Sequence, residues 1–141
     1  MKTLFLSLLA AGMLFTACHS NNNSTTANGA GSGGNGPKMT FQKEIHDFGK
    51  IKPGDTVVYD YKFTNTGNLP LIISDGYASC GCTKPTWPTT PVKPGESGVI
   101  HVKFDSRGKM GMQDKEITIT ANTDTAQHHL HLIGEISANK N

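Results

Sequence analysis

From Met39 onward the chain is written in short runs in which apolar and polar residues alternate, with turn-forming residues about every ten positions. Val57, Tyr59, Tyr61 and Phe63 fall on one side of an extended chain, and Val58, Asp60, Lys62 and Thr64 on the other, because successive side chains of a strand point to opposite faces. The same period places Ile100, Val102 and Phe104 opposite His101 and Lys103, Ile117 and Ile119 opposite Thr118 and Thr120, and Leu130 and Leu132 opposite His129 and His131. No stretch sustains a helical period. Asn65-Thr66-Gly67-Asn68 supplies a turn, and residues 69–73 resume as a strand whose Pro70 belongs at a start or an edge, since it cannot donate to a ladder. With residues 39–44 and 78–83 added, about seven strands are expected, the count and spacing of an all-β, antiparallel, immunoglobulin-like β-sandwich. A small barrel is the alternative. Thr118 and His129 are expected on the solvent face, and the sandwich is expected to occupy residues 39–137.

The N-terminus carries a different signal. Lys2 precedes an apolar run from Leu4 to Phe15, and the small pair Thr16-Ala17 stands directly before Cys18. Charge, short apolar stretch and small-residue exit define a secretory signal, and a cysteine at the cleavage point is what lipoprotein processing uses. Residues 1–17 therefore read as a lipoprotein signal peptide and Cys18 as the lipidated first residue; the run is well short of the roughly 20 apolar residues of a membrane span. Residues 18–38 are dominated by Gly, Ser and Asn and read as a disordered tether. The expected location is the cell envelope, on the outer membrane facing the periplasm, with the membrane engaged through lipid on Cys18. The formal net charge is +2 and the basic residues are scattered along the chain, which argues against a nucleic-acid partner.

If Cys18 carries lipid, Cys80 and Cys82 are the pair left in an oxidising compartment. Ser79-Cys80-Gly81-Cys82-Thr83 is the segment with evident reactive chemistry, and Gly81 allows the bend that would bring the sulfurs together. The two are expected to be bonded to each other; a redox-active dithiol and a pair of soft metal ligands are the alternatives. No cofactor is expected. Were copper or zinc bound, its ligands would come from Cys80, Cys82, Met110, Met112, His129 and His131. His129 and His131 are expected on the outer face of the last strand and His101 in the opposite sheet, while Met110 and Met112 are expected in a turn flanked by Gly108 and Gly111. Pro85, Pro88, Pro91 and Pro94 recur at the polyproline II period around Trp87. That segment reads as an extended connector, with Trp87 plugging the sandwich or, alternatively, serving as a partner-binding anchor. No hydrolase constellation and no phosphate-cradling glycine loop before a helix is evident, so no enzymatic activity is expected.

The succession His46-Asp47-Phe48-Gly49-Lys50-Ile51, Phe63-Thr64-Asn65-Thr66-Gly67-Asn68-Leu69-Pro70-Leu71, Ser79-Cys80-Gly81-Cys82-Thr83, Lys93-Pro94-Gly95-Glu96 and Gly134-Glu135-Ile136 resembles the bacterial exported proteins grouped as domain of unknown function 1573. The resemblance spans residues 41–136. It implies an immunoglobulin-like sandwich similar to Hydin and major-sperm-protein modules, often carried on lipoproteins of diderm bacteria, with Cys80 and Cys82 at the family's cysteine positions and no assigned activity. The function expected is that of a lipid-anchored, non-enzymatic module binding another envelope protein or supporting envelope structure; the alternative is thiol-dependent metal binding or redox chemistry at the Cys-Gly-Cys segment. Cys18→Ala is expected to abolish fatty-acid incorporation and move the protein from the membrane to soluble or unprocessed fractions. Equal lipid labelling of wild type and variant would refute the lipoprotein reading.

Overall fold

Strict alternation leaves each strand with one apolar face, and two such faces are satisfied by packing against each other. The computed structural model describes residues 35–138, which form eight strands. The expected signal peptide, Cys18 and most of the expected tether lie outside the described residues. The strands are β1 (Met39–Phe41), β2 (Ile45–Ile51), β3 (Thr56–Asn65), β4 (Ile73–Ala78), β5 (Thr83–Thr86), β6 (Ser97–Asp105), β7 (Gly111–Ala121) and β8 (Gln127–Ile136). They make two four-stranded sheets, one in the order β1-β3-β6-β5 and the other β2-β8-β7-β4. Tyr61, Phe63, Ile100, Val102 and Phe104 from the first sheet and Ile117, Ile119, Leu130 and Leu132 from the second are fully buried between them. The Tyr61 hydroxyl, carried into this core, donates to the His131 carbonyl oxygen at 2.9 Å, and burial pushes its pKa well above the ordinary tyrosine value.

The expected all-β sandwich is present, with corrections to its strands, their pairing and one face. The strand expected at residues 39–44 ends at Phe41: the chain is then polar and exposed at Gln42, Lys43 and Glu44, where it crosses to the other sheet, and a further strand, β2, begins at Ile45. β2 consequently pairs with β8 in parallel, so the sandwich is not wholly antiparallel. Its register slips between Asp47 and Lys50, and Gly49 takes a φ of +72°, the left-handed region glycine adopts without steric cost. Phe48 lies over Gly134, where a Cβ would come within 2.3 Å of the ring, which accounts for glycine there. The expected strand at 78–83 is instead the end of β4, a turn and the start of β5, because the chain changes sheets at the cysteines. Pro85 sits inside β5, an edge strand where a missing donor is tolerated, so the extended connector begins only after Thr86. Thr118, expected on the solvent face, is 2% exposed. It does lie on the outer face, but its register partners there are Tyr77 and His129, whose larger side chains cover it.

One end of the sandwich is closed by a buried amide. Asn65, at the end of β3, is fully buried. Its Nδ2 donates to the carbonyls of Leu69 at 2.8 Å and Val92 at 2.9 Å, and its Oδ1 accepts from the N–H groups of Gly67 at 3.0 Å and Lys38 at 3.2 Å. Its own backbone bonds Gly95 and Glu96. The last residues of the expected tether are drawn in as well: Asn68 N–H donates to Gly36 O, and Thr66 N–H to Lys38 O.

Phe63→Ala and Leu132→Ala are expected to cost about 2 to 5 kcal/mol each as large-to-small changes at fully buried sites. Asn65→Ala is expected to cost roughly 2 to 4 kcal/mol by leaving buried carbonyls and N–H groups unpaired, whereas His129→Ala should remain within about 0.5 kcal/mol. Urea midpoints check the ranking; an Asn65→Ala midpoint indistinguishable from that of His129→Ala would remove the amide from its structural role.

Candidate functional site

At the other end the chain passes from β4 in one sheet to β5 in the other through Ser79-Cys80-Gly81-Cys82. Ser79 N–H donates to Glu116 O at 2.9 Å, Thr83 N–H closes a turn on Cys80 O at 3.1 Å, and Asp105 N–H donates to Cys82 O at 2.9 Å. The turn is thus tied to β7 on one side and β6 on the other. Cys80 and Cys82 are joined as a disulfide with Cα atoms 5.3 Å apart. The buried Thr83 hydroxyl lies beneath it, 3.6 Å from Cys80 Sγ and 4.0 Å from Cys82 Sγ. Ser106, also buried, steadies the same end: its Oγ donates to the carbonyls of Asp55 at 2.7 Å and Lys52 at 3.2 Å.

A cleft of about 450 Å³ opens beside this turn, lined by Gly81, Cys82, Lys84, Lys103, Asp105 and Arg107. Lys84 and Lys103 face one another in the β5–β6 register. Arg107 Nε is 2.8 and 3.0 Å from the two Asp105 oxygens, and its Nη2 is 2.5 Å from Asp105 Oδ2. Hydrogen bonds from Arg107, with Lys103 adding to them, hold the Asp105 carboxyl below its ordinary pKa, and Asp105 in turn raises that of Arg107. Scattered in sequence, these basic residues are gathered in space by strand pairing, which linear reading missed.

The other sequence candidates are dispersed. His129 Nδ1 lies 3.3 Å from Glu116 Oε1 and His131 Nδ1 2.9 Å from Asp114 Oδ1, both on the outer face of the second sheet. His101 is on the outer face of the first, 2.6 Å from Asp60. Met110 precedes β7 and Met112 lies at its start, both exposed, with Gly108 and Gly111 at positive φ around them. Among the described residues no three His, Cys, Asp or Glu side chains come together to hold a metal ion. The cysteine sulfurs, being bonded to each other, are not thiolate ligands in this form. Trp87 is half-buried and packs against the core, its ring over Gly76 in β4, where it seals the seam between the β4 and β5 edges.

A family model described as protein of unknown function (DUF1573) matches residues 39–136, a span that takes in the β2 bulge, the Asn65 turn and the Cys-Gly-Cys crossover. The chain belongs to the DUF1573 family. No curated protein matches it. Among solved structures, a protein of unknown function from Porphyromonas gingivalis W83 is 19% identical with a TM-score of 0.63, over 71% of this chain and 47% of that one. The PapD-like domain 7 of human CEP192 is 11% identical with a TM-score of 0.57, over 99% and 100% of the two chains. The secreted serine protease VesC of Vibrio cholerae is 16% identical with a TM-score of 0.54, over 70% of this chain and 23% of the protease. The DUF1573 chain thus spans about half the Porphyromonas protein and a quarter of the protease. At these identities the likeness is one of fold, and the fold is the immunoglobulin-like sandwich of PapD-like domains.

The disulfide predicts that the oxidised protein with Cys18 replaced has an intact mass two hydrogens below the fully reduced value. Neither Cys80 nor Cys82 should alkylate without reductant. Two alkylatable thiols in protein recovered from an oxidising compartment would reject the bridge.

Proposed function

We propose that this DUF1573 protein is a non-enzymatic interaction module, held at the cell envelope by lipid on Cys18, that takes another envelope protein along the edge of β4. The observation that carries this is the character of that edge. β4 is paired only by β7, and Leu69, Ile72 and Tyr77, on it and leading into it, are 49%, 46% and 51% exposed. The other three edges are blunted in the ways sheets usually protect themselves: β1 is three residues long, β2 is bulged at Gly49, and β5 carries Pro85. β4 has neither proline nor lysine and one charge, Asp75; its irregularity, between Ile73 and Asp75, sits at its start, and Trp87 packs against Gly76 while Ile72 and Tyr77 on either side stay exposed. An extended segment of a partner could add to such an edge, with main-chain hydrogen bonds supplying affinity and apolar side chains meeting Ile72 and Tyr77.

Support for a non-enzymatic role is that every histidine ion pair among the described residues lies on an outer face, and that the ionisable groups gathered in the cleft, Lys84, Lys103, Asp105 and Arg107, include no nucleophile paired with a general base. A photo-cross-linking residue placed at Ile72 or Tyr77 in cells is expected to give one common adduct, and the same residue at Val58, exposed on the opposite sheet, none. Tyr77→Lys should remove the Ile72 adduct while leaving the thermal midpoint unchanged. Adducts of equal yield at Val58, or none at β4, would overturn the proposal.

A further inference from the structure

We propose that the cleft beside the Cys80–Cys82 turn binds the phosphate group of a phosphate monoester. The inference is independent of the β4 interface. Lys84 and Lys103 are directly opposed across the β5–β6 ladder, an arrangement that destabilises a sheet when both side chains are charged. Neither lysine forms a close ion pair with another described residue; the nearby carboxylate of Asp105, which Lys103 influences, is already engaged by Arg107. Arg107 adds a third positive charge to the same cleft, and Asp105, its sole acid, is engaged by that guanidinium. Three cations against one anion leave a surplus of two positive charges, matched to a phosphate monoester, which carries close to two negative charges at neutral pH. A single carboxylate would neutralise only half of it.

The surroundings suit the same ligand. Gly81 and Cys82 line the cleft, and their N–H groups donate to no described residue, so both remain available as main-chain donors. The crossover that carries them is held by the disulfide and by its bonds to Glu116 and Asp105, so little ordering of this turn is left to be done on binding. The cleft, about 450 Å³, exceeds one phosphate group and leaves room for the organic part of an ester. Lysine ammonium groups act here as point charges that straddle the anion, the role lysine takes in phosphate sites.

The test titrates inorganic phosphate into the full-length protein and follows backbone amide shifts at constant ionic strength. Saturable shifts confined to residues 81–84 and 103–107 are expected, with the apparent affinity falling about tenfold or more in Lys84→Ala/Lys103→Ala as two charge-assisted contacts are lost. Lys62→Ala, on the same outer face but outside the cleft, should leave the affinity unchanged and shows whether mere surface charge is responsible. Shifts spread over all lysines, equal shifts with chloride, or equal weakening by Lys62→Ala would overturn the site. A parallel arm compares co-sedimentation with phosphatidylcholine vesicles with and without phosphatidic acid. Capture by phosphatidic acid that the double substitution abolishes extends the site to a lipid headgroup; inorganic phosphate binding without vesicle capture restricts it to soluble esters.

Discussion

The Asn65 carboxamide holds together what the sheets alone would leave open. A sandwich gains its stability from apolar faces, but at its ends the chain must turn, and every turn carries backbone groups that need partners. Asn65 has two donors and two acceptor positions, and all four are used on main-chain groups from three separate segments: residue 38, residues 67–69 and residue 92. The Leu71–Val92 bridge beside it, with N–H···O distances of 2.9 and 2.8 Å, exists only if both loops are held at that height. Aspartate would be nearly isosteric but could not donate to Leu69 O or Val92 O, and its charge would be buried against them. The requirement is therefore for an amide, not for size or polarity.

The opposite end solves the same problem by other means. There the chain must leave one sheet for the other within four residues, and a disulfide between cysteines two positions apart, with bonds to Glu116 and Asp105, fixes the crossover, while Ser106 ties the neighbouring turn at Lys52 and Asp55. A ring this small constrains the unfolded chain little, so its contribution is local geometry more than global stability. That geometry matters because the crossover places Cys82 and Gly81 next to the termini of β5 and β6, where Lys84, Lys103 and Arg107 stand. Packing of two apolar faces would have been satisfied without any of these three.

The central strands were legible in the sequence because a period of two admits one arrangement: Tyr61 and Phe63 must go inward if Asp60 and Lys62 go outward, and the same holds for Ile100 to Phe104. What was not legible depends on relations between strands. Thr118 has the right parity for the surface and is nevertheless covered, because its exposure is decided by Tyr77 and His129 on neighbouring strands. The change of sheet at residues 42–44 leaves no trace in alternation, since polar residues serve a turn and a crossing equally well. Asn65 was visible only as a turn former; its burial follows from the folding of two distant loops over it. Lys84 and Lys103 lie 19 positions apart, and only the β5–β6 register reveals them as neighbours.

The placement of the two ends bears on how the molecule could work. β3 runs from Thr56, paired with Asp105 beside the cleft, to Asn65, where residues 36–38 join the domain. At roughly 3.4 Å per residue its ten residues put about 30 Å between those points. The described chain therefore enters the sandwich at the amide-closed end, and the basic cleft opens at the disulfide-closed end. The β4 edge runs along the side between them, with Ile72 toward the first and Ala78 toward the second. A partner strand lying on that edge would extend toward the crossover without obstructing the lysines, because Lys84 and Lys103 face outward from the other sheet. Two ligands of different chemistry, an extended peptide and a phosphate group, could then occupy the domain together. The Cys80–Cys82 turn, the covalent link between β4 and β5, and the Trp87 contact on Gly76 are structural connections between the two sites.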